Sequence, residues 1–320
     1  MPSSAHIRMR NAVRDLLPMG VRRLLRRART AAQQGRMAID HQRLAWRAAR
    51  TAWRPLVRTG EQPFQCNLCG AHGSAAPERL GDREAATCRV CGSSLRHRAL
   101  VAALQRRLWG EVRPLRTLRR DRRRTGLGMS DVHVYAQWLQ RRLGYTNTFF
   151  HQAPRLDIQD PDRDFLGRHD FVISSDVLEH VAPPVATAFG NLHGLLKPGG
   201  VLAFTVPYAA EGETREYFPE LHAFRIEGEG RGRRLLNTTR DGRLQAFDNL
   251  CFHGGDGATL EMRIFALPDL LRQLAAAGFR DIQVHDQPLP QWGIVPDSAC
   301  SLPITAVAGP RTAAAAAPVQ

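Results

Sequence analysis

Apolar residues recur along this chain with two different periods, and the changes of period mark its elements. Leu100, Ala103, Leu104 and Leu108 share one face of a helix over 99–109. A second helical pattern runs from Asp131 to Leu143, and Gly144 is placed to end it. Tyr145 to Phe150 is aromatic and Thr-rich, which predicts a strand. Phe171 to Ser174 and Val201 to Val206 are short continuous apolar runs, the pattern of strands buried on both faces. Val185 to Leu196 between them is helical, with Pro183 and Pro184 at its start. Further on, a helix over Pro268 to Ala277 stops at Gly278, and strands over Phe279 to His285 and Leu302 to Val307 follow. Strand, helix, the turn Lys197-Pro198-Gly199-Gly200 and strand form a βαβ unit, so the class is α/β with a parallel sheet.

Some stretches break these patterns. Leu118 to Thr125 carries five arginines, which makes it a poor central strand. Only Gln152 to Arg155 separates the aromatic strand from Leu156-Asp157-Ile158, too few residues for a parallel crossover, so one crossover helix is absent. Residues 207–258 are polar and Gly-rich, the composition of a lid or substrate surface. Val13, Leu16, Leu17, Val21, Leu24 and Leu25 fall at helical spacing among arginines, a basic amphipathic segment. Such a segment suits packing on the body or a partner, or peripheral contact with an anionic membrane through 1–30; nucleic acid is the less favoured partner. The Ala-rich 311–320 reads as a disordered tail. The resulting domains are 1–60, 61–105, 106–310 with the insertion 207–258, and 311–320.

The charge of +15 narrows the choice of partner once it is located. Residues 1–60 hold fourteen arginines against Asp15 and Asp40, which leaves +3 for the rest of the chain. The globular part is therefore nearly balanced. Arginine is used almost to the exclusion of lysine, with Lys197 alone, so its abundance is weak evidence for phosphate binding. No apolar run is long enough to span a membrane and no apolar stretch follows the twin arginine Arg22-Arg23, so a cytoplasmic location is expected.

Cys66-x2-Cys69 and Cys88-x2-Cys91 have the spacing of a tetrahedral Zn²⁺ site. Four thiolates leave no open position, so the expected role is in folding. Gly70 and Gly92 follow the pairs and are expected to aim backbone N–H groups at the sulfurs. Cys251 and Cys300 read as small apolar fillers.

Asp176, Glu179 and His180 directly follow the strand that ends at Ser174, where parallel sheets bind their ligands. On a helical turn, positions i, i+3 and i+4 share a face. The three could act as a proton acceptor, hold a divalent cation such as Mg²⁺, or cap the helix and shape a pocket floor.

Two stretches, Asp170-Phe171-Val172-Ile173-Ser174-Ser175-Asp176-Val177-Leu178-Glu179-His180-Val181 and Leu195-Leu196-Lys197-Pro198-Gly199-Gly200-Val201, resemble the class I S-adenosylmethionine-dependent methyltransferases of the type 11-like kind. Cys91-Gly92-Ser93-Ser94-Leu95-Arg96-His97-Arg98 resembles a stretch of bacterial zinc-ribbon methyltransferases associated with surface polysaccharides. The resemblance covers roughly 61–310. It implies a Rossmann-like sheet preceded by a zinc ribbon, and S-adenosylmethionine as cofactor. It also implies a glycine-rich cofactor loop at Gly126-x-Gly128-x-Ser130, with Asp131 after it, and cofactor contacts from Asp157 and Ser175. An ordinary loop before a helix N-cap is the alternative for that loop, and a loop carboxylate the alternative for Asp157. His151-Gln152 stand where the family places a ribose-binding acid.

No Asn-Pro-Pro-Tyr or Pro-Cys motif is present, which leaves oxygen methylation, and the resemblance to the surface-polysaccharide methyltransferases implies a saccharide or other small hydroxyl acceptor. Tyr208, Glu216, His222, His253 and Trp292 are candidates to line the acceptor pocket. The rival readings are an RNA methyltransferase that uses the ribbon and the Arg-rich tail, and a non-catalytic binding protein on a degenerate methyltransferase fold.

Overall fold

A computed structural model of the chain describes residues 42–51, 59–253 and 260–310. The amphipathic pattern at 13–25, the tail 311–320 and residues 254–258 of the insertion lie outside the described residues. The chain divides into two units, 1–47 and 48–320. The described residues of the first, 42–47, are helical, and every element named below belongs to the second.

The second unit opens with a hairpin of β1 (Gln62–Gln65) and β2 (His72–Ala75), paired antiparallel. The short helix α1 (Pro77–Gly81) and the long helix α2 (Leu95–Trp109) follow. Ser94 starts α2 with a reciprocal cap, its backbone N–H bonding His97 Nδ1 at 3.2 Å.

The main sheet contains β3 (Asp121–Met129), β4 (Leu143–Thr148), β5 (His169–Ser175), β6 (Leu196–Thr205), β13 (Phe279–Val284) and β14 (Ile304–Ala308). Their order is β13-β14-β6-β5-β3-β4, and β14 alone runs antiparallel to its two neighbours. Helices α3 (His133–Arg142) and α4 (Val185–Leu195) form the β3-α3-β4 and β5-α4-β6 crossovers. Helix α5 (Leu267–Ala276) leads into β13. The residues that alternate along the strands explain the two-sided burial. Leu127, Val172, Leu202, Phe204 and Ala306 belong to the large core shared with Phe189 and Leu192 of α4 and Leu270 and Leu274 of α5. On the other side, α2 packs on β6 and β14, and α3 on β3 and β4.

The arginine-rich start of β3 is accommodated by register. Residues 121–123 are exposed, while Gly126–Met129 pairs with β4 on one side and β5 on the other. Only the apolar half of the strand is central. No α-helix stands between β4 and β5; a single parallel bridge, Phe149 with Arg155, is all that extends the sheet there. Gly144 does not cap a helix as expected, because α3 runs directly into β4 and Gly144 pairs with Thr125. The Pro-Gly-Gly turn is drawn into β6 as an irregularity, since His169 pairs with Leu196 and Phe171 with Val201.

The insertion contains β7 (Tyr208–Ala209), β8 (Arg215–Glu216), β9 (Ala223–Glu227), β10 (Arg234–Thr238) and β11 (Leu244–Phe247), followed by β12 (Arg263–Ala266). Strands β9, β10 and β11 form a separate antiparallel sheet over Phe218, Leu235, Leu260 and Met262.

Candidate active site

A cleft of about 1310 Å³ opens at the carboxyl ends of β3, β4 and β5. Of the residues predicted from sequence, it brings together Ser130, Asp157, Ser175, Asp176, Glu179 and His180. Gly126, Gly128 and Asp131 do not line it.

The glycines lie inside β3 rather than in a loop. A Cβ on Gly126 would stand 2.1 Å from the Phe171 ring, and one on Gly128 would stand 1.9 Å from the Tyr145 hydroxyl. Their bareness therefore admits two stacked aromatic rings, Tyr145 and Phe171, with centroids 6.1 Å apart. The expected glycine loop is therefore strand at Gly126 and Gly128. Asp131 is buried and accepts hydrogen bonds from the hydroxyls of Tyr135 (2.8 Å) and Tyr145. Burial pushes its carboxyl up to about 7, against the pull of those two hydroxyls. It is a buried anchor for the β3–α3 connection.

Asp176 adopts a left-handed conformation, φ 52°, directly beyond β5. Its carboxylate accepts both contacts of Arg83 Nη2, at 2.6 and 2.8 Å, and a third from Thr205 Oγ1 at 2.9 Å. Arg96 Nη1 stands 3.1 Å from the same carboxylate and 2.8 Å from Ser175 Oγ. Two guanidiniums therefore stand on the Asp176 carboxylate.

Glu179 and His180 lie on a short 3₁₀ turn, Leu178–His180. The Glu179 side chain is 2 % exposed and its Oε2 has no hydrogen-bond partner. Burial, then the nearby Asp176 charge, raises its carboxyl to about 8, so it is protonated at neutral pH. His180 Nδ1 sits 3.0 Å from the Leu260 carbonyl and can only donate to it. That leaves Nε2 as the acceptor. Burial holds the imidazole below its usual pKa, opposed by the Leu260 carbonyl. His180 is thus a neutral imidazole in the cleft. The ligand atoms of Asp176, Glu179 and His180 do not all lie within 4.8 Å of one another.

Other cleft residues carried no prediction. Arg83 and Arg96 come from the cysteine module; Arg96 lies in a motif singled out above, but nothing in the sequence pairs it with Asp176. Phe150, 44 % exposed, stands in the cleft with the Arg155 guanidinium 5.6 Å from its ring centroid. Phe224, Ile226 and Met262 are the apolar lining from the insertion and its edge. Of the five acceptor-pocket candidates only His253 lines the cleft. Tyr208 is in the main core, Glu216 pairs with the buried Arg263, and Trp292 packs near Leu95 and Ile294.

The four module cysteines bring their sulfurs within 4.8 Å of one another. Cys66 to Cys91 is 3.8 Å and Cys69 to Cys88 is 3.7 Å. A tetrahedral Zn²⁺ with Zn–S bonds of about 2.3 Å has S···S edges of about 3.8 Å, whereas a disulfide needs about 2 Å. Arg98 is fully buried beside them with no carboxylate partner among the described residues. Its Nη1 and Cys66 Sγ share the Ser93 hydroxyl, each at 3.3 Å. A buried cation without a carboxylate requires another anion, and thiolates supply it. The residues present therefore fit zinc. Gly70 and Gly92 N–H groups bond back to the carbonyls of Cys66 and Cys88 at 2.8 Å, closing the turns instead of facing sulfur. Cys251 and Cys300 are exposed, so the reading of both as apolar fillers is corrected.

Residues 97–241 match a family model described as a methyltransferase domain. The main sheet is Rossmann-like and is preceded by a four-cysteine module, and the methyltransferase-domain match covers its parallel strands. No curated protein matches the chain by sequence. Among solved structures, the chain is similar to a 1,6-didemethyltoxoflavin N1-methyltransferase of Burkholderia thailandensis, at 19 % identity over 66 % of this chain and 79 % of that one, TM-score 0.37. It is similar to a sugar N-methyltransferase of Streptoalloteichus at 14 % identity over 68 % and 90 %, TM-score 0.39. A Clostridium acetobutylicum S-adenosylmethionine-dependent methyltransferase matches at 14 % over 58 % and 84 %, TM-score 0.35. Likeness at this level says nothing about the acceptor. No helix among the described residues is long and apolar enough to cross a membrane.

Proposed function

We propose that the protein transfers a methyl group from S-adenosylmethionine to a hydroxyl oxygen of a small acceptor such as a saccharide. The observation that carries this reading is His180, an imidazole in the cleft whose Nδ1 is engaged by the Leu260 carbonyl, which leaves Nε2 as its acceptor atom. When bound, S-adenosylmethionine supplies an electrophilic methyl group on a sulfonium. Ser130, Asp157 and Ser175 line the part of the cleft at the ends of β3 to β5 and would hold the cofactor beside the exposed Phe150.

His180 Nε2 accepts the acceptor hydroxyl proton as the oxygen attacks, and the Leu260 carbonyl fixes the tautomer that makes this possible. Glu179, neutral and buried, stands beside His180 without adding charge to the site. The cleft volume accommodates a cofactor and a small acceptor side by side. The four-cysteine site holds structural zinc and, through Arg83 and Arg96, braces the floor of the cleft. Calorimetry with S-adenosylmethionine, followed by labelled-methyl transfer to a panel of saccharides, tests the reading. Absence of cofactor binding by the folded, zinc-loaded protein would leave the non-catalytic binding protein as the better account.

A further inference from the structure

Cys251, His253 and Glu261 form a second metal-ligating group among the described residues, outside the four-cysteine cluster. Phe252 and Leu260 form an antiparallel bridge, and the Glu261 N–H donates to the Cys251 carbonyl at 2.9 Å. Phe252 and Leu260 turn to the small core beneath β9 to β11. Side chains alternate along extended backbone, so Cys251, His253 and Glu261 share the opposite face. His253 Nε2 lies 2.7 Å from Glu261 Oε2 and 3.9 Å from Cys251 Sγ. All three ligand atoms fall within 4.8 Å of one another.

We propose that Cys251, His253 and Glu261 bind a divalent transition-metal ion, Zn²⁺ being the best match, with one coordination position open to the cleft. One thiolate, one imidazole and one carboxylate are the donor types zinc takes, and three protein ligands leave a fourth position. A tetrahedral ion would set S···N near 3.6 Å and N···O near 3.3 Å, from bond lengths of about 2.3 and about 2.0–2.1 Å. Entry therefore replaces the proton shared by His253 and Glu261 and parts them by roughly half an ångström, a small motion for an imidazole that is half exposed.

The site is tied to the catalytic turn. His253 lines the cleft, its ring centroid is 5.5 Å from that of His180, and Leu260 accepts from His180. Met262 N–H donates to the Glu179 carbonyl at 2.8 Å. An acceptor hydroxyl on the open position would lose its proton more readily to His180. That use of the ion rests on the transferase reading; the binding of the ion does not.

Equilibrium dialysis of the full chain against micromolar free Zn²⁺, with metal content read by mass spectrometry, separates the two. Wild type should hold two Zn²⁺ per chain, and Cys251→Ser and His253→Ala one each, their affinity for the second ion falling by about 100-fold or more. This pattern supports the site whether or not methyl transfer is observed. A wild type that holds one ion, or variants that both hold two, would overturn the proposal.

Discussion

Arg83 Nη2 reaches both carboxylate oxygens of Asp176, at 2.6 and 2.8 Å, across 93 residues of sequence. The contact joins the cysteine module to the end of β5, and it makes Asp176 a structural carboxylate. Both side chains are partly exposed, so the pair is worth less than a buried one. Arg83→Ala should cost about 1–3 kcal/mol, the range for a hydrogen bond to a charged group, read as a shift of the denaturation midpoint. Asp176→Asn should lower stability and leave the shape of the pH–rate profile unchanged. A profile that loses an ionisation in Asp176→Asn would restore this residue as the base.

His180→Ala should reduce turnover by about 10²–10⁴-fold, the contribution of a general base, while binding of S-adenosylmethionine changes little. The imidazole acts as a base only when neutral. Burial lowers its pKa, so the rate should rise with pH through an ionisation below the ordinary histidine value and be flat at neutrality. Near-wild-type turnover in the variant, measured with the true acceptor, would remove His180 from the chemistry.

Glu179 makes stability depend on pH with a definite sign. Its carboxyl titrates at about 8 in the folded chain, raised from the 4.5 expected without burial. The folded state then binds more protons than the unfolded one between those values. Stability from this group is complete below the unfolded pKa and declines as pH rises towards 8. Glu179→Gln should flatten the melting-temperature curve over that window. An unchanged slope in the variant would show that the carboxyl is not protonated at neutrality.

Gly128→Ala should destabilise the protein by about 1–3 kcal/mol, the usual cost of overpacking. The added Cβ meets the Tyr145 hydroxyl and Asp131 rather than cleft space. Affinity for S-adenosylmethionine in the folded fraction should be unchanged. A selective loss of cofactor binding with normal stability would return Gly128 to the cofactor site.

Cys66→Ser should lose the structural zinc and soluble yield together, because removing one ligand removes folding energy. It would also leave Arg98 buried beside fewer thiolates, a second cost. A folded, metal-free wild-type chain would end the zinc assignment.

What the sequence by itself determined is local or periodic. The apolar runs at Phe171–Ser174 and Val201–Val206 could only be central strands, and a helix at α4 spacing had to connect them. Two Cys-x2-Cys pairs place their sulfurs together through short turns, so the cluster was legible from spacing. His180 directly follows a strand end, and that position alone carries it into the cleft. What only the tertiary structure decided depends on residues far apart in the chain. Gly126 and Gly128 read as a loop until Phe171 and Tyr145 occupied the space beside them. The arginines of β3 argued against a strand until register carried them past the ends of its neighbours. Asp176 kept its motif position but lost its freedom to Arg83 and Arg96, which no spacing connects to it. Cys251 and Glu261 are partners because a backbone bridge sets them on one face. Periodicity reports which face of an element is buried; only the packed chain decides which charges meet there, because charge pairing depends on distance in space.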